Sequence, residues 1–183
     1  WILRLGLVLA VSRGAQADDS DRRFLDGLRQ RRLFTLAERF CETRLQDPRL
    51  TPVDAGEFTV ELVRLYAEHS IQSPPDERAE RSAKARQVAA DFSRQNKDHP
   101  RWLLVRMQDA LTVLALGELE RQEADVAVAP QASYDRAQQT TREATRLLEQ
   151  LDKELVEQIP ERNRKPPAAG ELTADELSSL QHH

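Results

Sequence analysis

Four histidines, one cysteine and two tyrosines are a sparse set of acid–base and nucleophilic groups for a chain of 183 residues. A cysteine becomes a nucleophile when a neighbouring cation lowers its pKa. Cys41 has no histidine near it in sequence and follows Phe40 on the apolar side of its helix, where a thiol behaves as a small hydrophobe. Being single, it closes no internal disulfide. His69 ends an apolar helical stripe, where a cation meets the negative pole of the helix dipole, and that role is expected of it rather than catalysis. Tyr66 belongs to the same stripe. His182-His183 lacks the further ligands that a metal site requires. Glu118, Glu120 and Glu123 alternate with Arg121, as on a solvated helix face.

Larger chemical motifs are missing from the sequence. It has no Gly-rich phosphate loop, no paired cysteines, no His-x-x-x-His and no serine set between the glycines of a nucleophile elbow. The one basic run, Arg29 to Arg32, carries no interleaved aromatic and sits in a chain of net charge −4, so nucleic acid is not an expected partner. The reading is a protein without enzymatic activity, with no catalytic, cofactor-binding or metal residue and no cofactor. Its expected partner is another protein.

The elements that would position any site are helices. Glycine is rare, Ala, Leu, Arg, Glu and Gln dominate, and no segment alternates apolar with polar residues as a half-buried strand does. Charged residues reach 32 % with both signs interleaved, which suits exposed helix faces. The organising feature is a recurrence: Ala37, Phe40 and Pro48 return as Ala89, Phe92 and Pro100 at one constant offset. A small residue lets a neighbouring helix approach, the ring one turn later fills the space beside it, and proline stops the helix. The expected fold class is all-α, built of stacked antiparallel helical hairpins.

Residues 21–48 also carry a resemblance. They are similar to a tetratricopeptide repeat through Leu28 on a first helix and Phe34, Ala37 and Leu45 on a second, with Pro48 one position before that repeat's closing proline. Arg32 stands where the repeat has a turn glycine, and Arg44 where it has a small residue. The resemblance implies a right-handed solenoid that serves as a protein-binding or assembly scaffold, and it transfers no catalytic residue.

Taken in order, residues 1–17 read as a signal peptide whose start is missing. Arg4 precedes an apolar run over residues 5–11, too short to span a bilayer, and Ala15-Gln16-Ala17 offers small residues before an acidic cluster. An exported chain without disulfides fits a bacterial envelope, periplasmic or secreted. Residues 18–159 read as the hairpin domain. Phe24, Leu25 and Leu28 share one face of a first short helix, and the stripe Phe34, Ala37, Phe40, Cys41 and Leu45 defines a second, with the break at residues 29–32; nothing there breaks a helix outright, so one long helix over 22–46 is the alternative. Thr51-Pro52-Val53-Asp54 predicts a capped helix start, and Ser73-Pro74-Pro75-Asp76 a second by the same logic.

Pro100 opens the most apolar helix, with Leu103, Met107, Ala110, Leu114, Gly117, Ala124 and Val128 at heptad-like spacing. After a loop over residues 126–133, a seam of Tyr134, Ala137, Thr141, Ala144, Leu148, Leu151 and Leu155 predicts its antiparallel partner, making one long coiled-coil-like hairpin. Ile159-Pro160 should end that hairpin, residues 160–172 should form an exposed linker, and Thr173-Ala174-Asp175-Glu176 should start a further helix, truncated at residue 183. An alternative function follows from that last point: an accessory helical module at the N-terminus of a longer enzyme or surface protein.

Overall fold

The computed structural model describes residues 14–127, 130–165, 167 and 171–181. Seven helices occur among them and no strand: α1 (Gly14–Gln30), α2 (Phe34–Leu45), α3 (Pro52–Gln72), α4 (Pro75–Gln95), α5 (Trp102–Ala124), α6 (Pro130–Arg164) and α7 (Ala174–Gln181). No helix of the described residues is long and apolar enough to cross a membrane.

Local chemistry sets most of the boundaries. At the end of α1 the N–H of Leu33 donates to Leu28 O (2.9 Å) and that of Arg32 to Arg29 O (2.8 Å). This paired closure needs a left-handed residue, and Arg32 supplies it at φ 57°. The break between α1 and α2 thus falls at 31–33, slightly later than the basic run suggested. Thr51 caps α3: its hydroxyl accepts from Asp54 N (3.2 Å) and donates to the Asp54 carboxylate (2.6 Å). Ser73 does not cap α4. Its hydroxyl turns back to His69 O (2.6 Å) and closes α3, while the Pro74 carbonyl accepts from Glu77 and Arg78 N–H, because Pro75 holds the first-turn φ without needing a partner. Thr173 and Glu176 form a reciprocal capping box at α7, with Thr173 N to Glu176 Oε2 at 2.8 Å and Glu176 N to Thr173 Oγ1 at 3.2 Å.

Two other expectations change. The loop before α6 is shorter, since the helix begins at Pro130 itself. At its other end α6 runs past Ile159-Pro160 to Arg164, so residues 161–164 are helix and not linker. Proline removes one intrahelical hydrogen bond and presses on the carbonyl four residues back. Placed in the last turns on an exposed side, Pro160 costs one bond and leaves the rest of the ladder intact. The proposed cleavage point lies in a region where α1 already begins at Gly14. Residues 1–13, Val128 and His182-His183 are outside the described residues.

Long-range pairs give the helix directions. Along α5 and α6, Asp125 meets Tyr134, Glu120 meets Thr140, Gly117 approaches Thr141 and Arg106 meets Glu154, so the two helices are antiparallel over their whole contact. Arg78 meets Glu123 and Arg86 meets Asp109, which makes α4 antiparallel to α5. The α3 and α4 helices form a tight hairpin joined by two residues, with Ser70 Oγ donating to Arg78 O (3.1 Å). In the first hairpin Phe24 packs on Phe40 and Asp21 meets Arg44.

Two apolar clusters result. The first joins α1 to α5 through Leu25, Leu28, Phe34, Ala37, Phe58, Leu65 and Ala89, among others. The second joins α5, α6 and α7 through Leu103, Met107, Ala110, Leu151, Leu155, Leu172 and Leu177. Leu65 and Leu151 are fully buried, and each such leucine contributes roughly 1.5–3 kcal/mol through apolar area removed from water. Helix approach is closest at two glycines. A Cβ on Gly56 would stand 2.6 Å from both Arg101 Cβ and the His99 ring, and one on Gly117 would stand 2.9 Å from the Thr141 hydroxyl.

Candidate functional site

The recurrent positions divide by place in the fold. Ala37 and Ala89 are fully buried, and Leu28 and Phe34 are buried with them in the first cluster. Phe40, Leu45 and Phe92 are half-buried against that same cluster. Pro48 and Pro100 lie apart from it in the turns after α2 and before α5. Seven of the nine positions therefore share one core. Phe24 departs from its expected face: it is 51 % exposed and touches the core only through its ring contact with Phe40 at 4.9 Å. Arg44, where a small residue was expected, spans Asp21 (2.9 Å) and Asp47 (3.3 Å) and covers the Phe58 ring at 5.5 Å.

The titratable residues are absorbed by partners between α2 and α3. His69 Nδ1 lies 2.6 Å from Glu38 Oε1 and its ring stacks on Phe34 at 5.3 Å. The carboxylate can only accept, so Nδ1 carries the proton. One turn on, the Tyr66 hydroxyl donates to Glu42 at 2.6 Å. Burial and that carboxylate push the Tyr66 phenol upward. Burial, with Glu61, Glu42 and Glu38 nearby, raises the Cys41 thiol to about 12, which keeps it protonated and unreactive at neutral pH. These two cross-links were not anticipated. Their signal in the sequence is a pair of acids four residues apart, Glu38 and Glu42, facing two polar rings three residues apart, His69 and Tyr66.

His99 is held in the same way. Its Nδ1 accepts from Arg101 N (3.0 Å), so Nε2 bears the proton and donates to Pro52 O (2.6 Å). The ring clamps the α4–α5 turn onto the start of α3. It also borders a cavity of about 410 Å³ with Lys97, Trp102, Gln158 and Leu172 beneath the start of α7. Among the described residues no group of three or more His, Cys, Asp or Glu is placed to hold a metal ion.

A groove of about 800 Å³ lies on the α5–α6 hairpin, lined by Arg121, Tyr134, Gln138, Thr141, Arg142 and Thr145, with others. Its origin lies in the seam. Ala137 and Ala144 are buried against α5, whereas Tyr134 is 39 % and Leu114 38 % exposed, and Thr141 is exposed. One side of the expected heptad stripe therefore has no helix over it. The same side is covered further along, where α7 lies on Leu151 and Leu155. Leu172 borders the cavity beside Gln158, and Gln181 donates to Asp152 at 2.9 Å, so α7 runs antiparallel to α6. Its axis points into the groove. Arg142 and Arg146 line it without a carboxylate partner among the described residues.

No family model matches the chain, and neither a curated protein nor a solved structure matches it.

Proposed function

We propose that this chain is an exported, non-enzymatic helical scaffold of the bacterial envelope that docks other proteins, with a tetratricopeptide-like stack of antiparallel hairpins as its architecture. Alternation supports the architecture. Because α4 is antiparallel to both α3 and α5, those two share a direction, and α7 shares it through α6. Contact between α3 and α5, two helices of like direction, is the kind of same-layer contact that a solenoid of hairpins makes. The export reading rests on residues 1–17 and on the lone cysteine.

The observation that carries docking is the groove in line with α7. It lies along α6 ahead of the stretch that α7 covers, is lined by Tyr134 and Ala137, and carries Arg142 and Arg146, which have no carboxylate partner among the described residues. That combination suits an amphipathic helix with an acidic flank. Two experiments test it. A photo-cross-linking residue at Thr145, inside the groove, should label a helical segment of one protein in the native cells, and the same residue at Lys153 should not. Equal labelling at both positions, or recovery of the chain in the cytosolic fraction, would overturn the proposal.

A further inference from the structure

The outer face of the first hairpin is distinct from the groove. Leu33 at the N-cap of α2 is followed by Leu36 and Phe40 on the helix, and Phe24 of α1 joins them through its ring contact with Phe40. Leu36 is 54 %, Phe24 51 % and Leu33 41 % exposed. Arg39 lies one turn from Leu36 on α2, Arg32 sits in the turn before that helix, and Arg31 folds its guanidinium onto Gly27 O of α1 (2.8 Å).

None of these three arginines pairs with a carboxylate among the described residues. From Asp21 onward, every acid of the hairpin is occupied elsewhere. Asp21 and Asp47 hold Arg44, Asp26 meets Arg29, Glu38 meets His69 and Glu42 accepts from Tyr66. A chain of net charge −4 thus has one edge that is cationic with apolar tips.

We propose that this edge seats on an anionic phospholipid surface. Exposed Phe and Leu reach the acyl boundary while arginines meet the headgroup phosphates, the division of labour by which a peripheral protein lies on a bilayer. Charge complementarity and the exposure of Phe24, Leu33 and Leu36 beside these arginines select that occupant. The lipid-facing edge lies at the opposite end of the stack from the groove, so a membrane-bound chain leaves the groove free.

Co-sedimentation of the full chain with vesicles tests this, using phosphatidylcholine alone or with roughly one third phosphatidylglycerol. Binding is expected to the anionic vesicles only, and to fall at least about tenfold between about 0.1 M and about 1 M salt. Arg31→Gln with Arg32→Asn and Arg39→Gln should weaken it by about tenfold or more. Leu36→Ser alone, at a position that contributes little to the core, should weaken it severalfold, and circular dichroism checks that each variant stays helical. Arg136→Gln with Lys153→Gln, the same kind of charge loss on α6, should leave it unchanged. Equal binding to both vesicle types, or anionic binding indifferent to the α1–α2 changes, overturns the proposal. So does a chain that ignores vesicles but is retained on polyglutamate through the same arginines, which would mark an acidic protein as the partner.

Discussion

The two halves of the molecule solve one packing problem with different materials. Between α1 and α4 the helices are held by rings set beside alanines, and the gaps at the layer edge are bridged by Glu38 to His69 and Glu42 to Tyr66. Between α5, α6 and α7 the apolar contact is aliphatic, a ladder of Leu, Ala and Gly, joined by bridges from Glu120 to Thr140 and from Arg106 to Glu154. Ring-and-alanine packing fixes each helix at a particular place, because a ring fits one gap. An aliphatic seam can be continued for any length, and here α6 extends beyond the part that α7 covers. The groove on α5–α6 is much larger than the recess of about 130 Å³ that Arg22, Leu25 and Phe58 line in the first half.

Truncating one fully buried leucine in each half is the most severe way to challenge that comparison. Leu65→Ala and Leu151→Ala should each cost about 3 kcal/mol, from lost burial and the cavity left behind. Because α3 and α4 both lean on α5, urea unfolding of either variant should remain a single transition. Two separated transitions would make the halves independent units.

The polar bridges come next. Glu38→Ala leaves the half-buried His69 ring without its acceptor and should cost about 2 kcal/mol, while Tyr66→Phe removes only a hydrogen bond and should cost about 1 kcal/mol. Equal effects in chemical denaturation would contradict the view that Glu38 is the more deeply committed carboxylate.

Alkaline pH sharpens the same contrast. The folded Cys41 thiol is raised from an ordinary 9.0 to about 12, and Tyr66 is raised as well. The unfolded chain therefore loses these protons first. Their contribution is complete below pH 9 and is lost as pH rises toward 12. Stability should fall over that window, and Cys41→Ala should make the fall shallower. A fall of unchanged steepness would remove Cys41 from the account.

The smallest effect concerns the α1–α2 turn. Arg32 holds φ 57°, a region that costs a side-chain-bearing residue about 1 kcal/mol. Arg32→Gly should raise stability by about that amount, read as a higher melting temperature. No gain would mean that the Arg32 side chain contributes as much as its backbone costs.

Much of this was legible from residue spacing. Thr51 and Thr173 announced their helices because a hydroxyl followed three residues later by a carboxylate has one dominant local use. Ala37, Phe40, Ala89 and Phe92 announced the first core for the same reason of spacing, and they lie in or against it. Arg32 was recognisable as a substitute for a turn glycine and does occupy the left-handed conformation. Other features depend on tertiary partners. Ser73 prefers the His69 carbonyl because α3 ends beside it, and Pro160 is tolerated because so little helix follows. The exposed side of the seam could not be read from heptads, since spacing says which residues share a face and not whether a helix covers it. The arginine edge was hidden similarly: the run at residues 29–32 lacks interleaved aromatics in sequence, and folding brings Phe24 and Phe40 beside it.

The claim that the account rests on is that α7 runs along α6 toward the open groove. Spin labels test it in a Cys41→Ala background, one at Asp135 within the groove and the other at either Asp175 or Gln181. Six helical residues separate the last two positions, so the 135–181 distance should be shorter than the 135–175 distance by about 9 Å. Equal distances, or a longer one to Gln181, would place α7 in another direction and remove the helix-shaped slot.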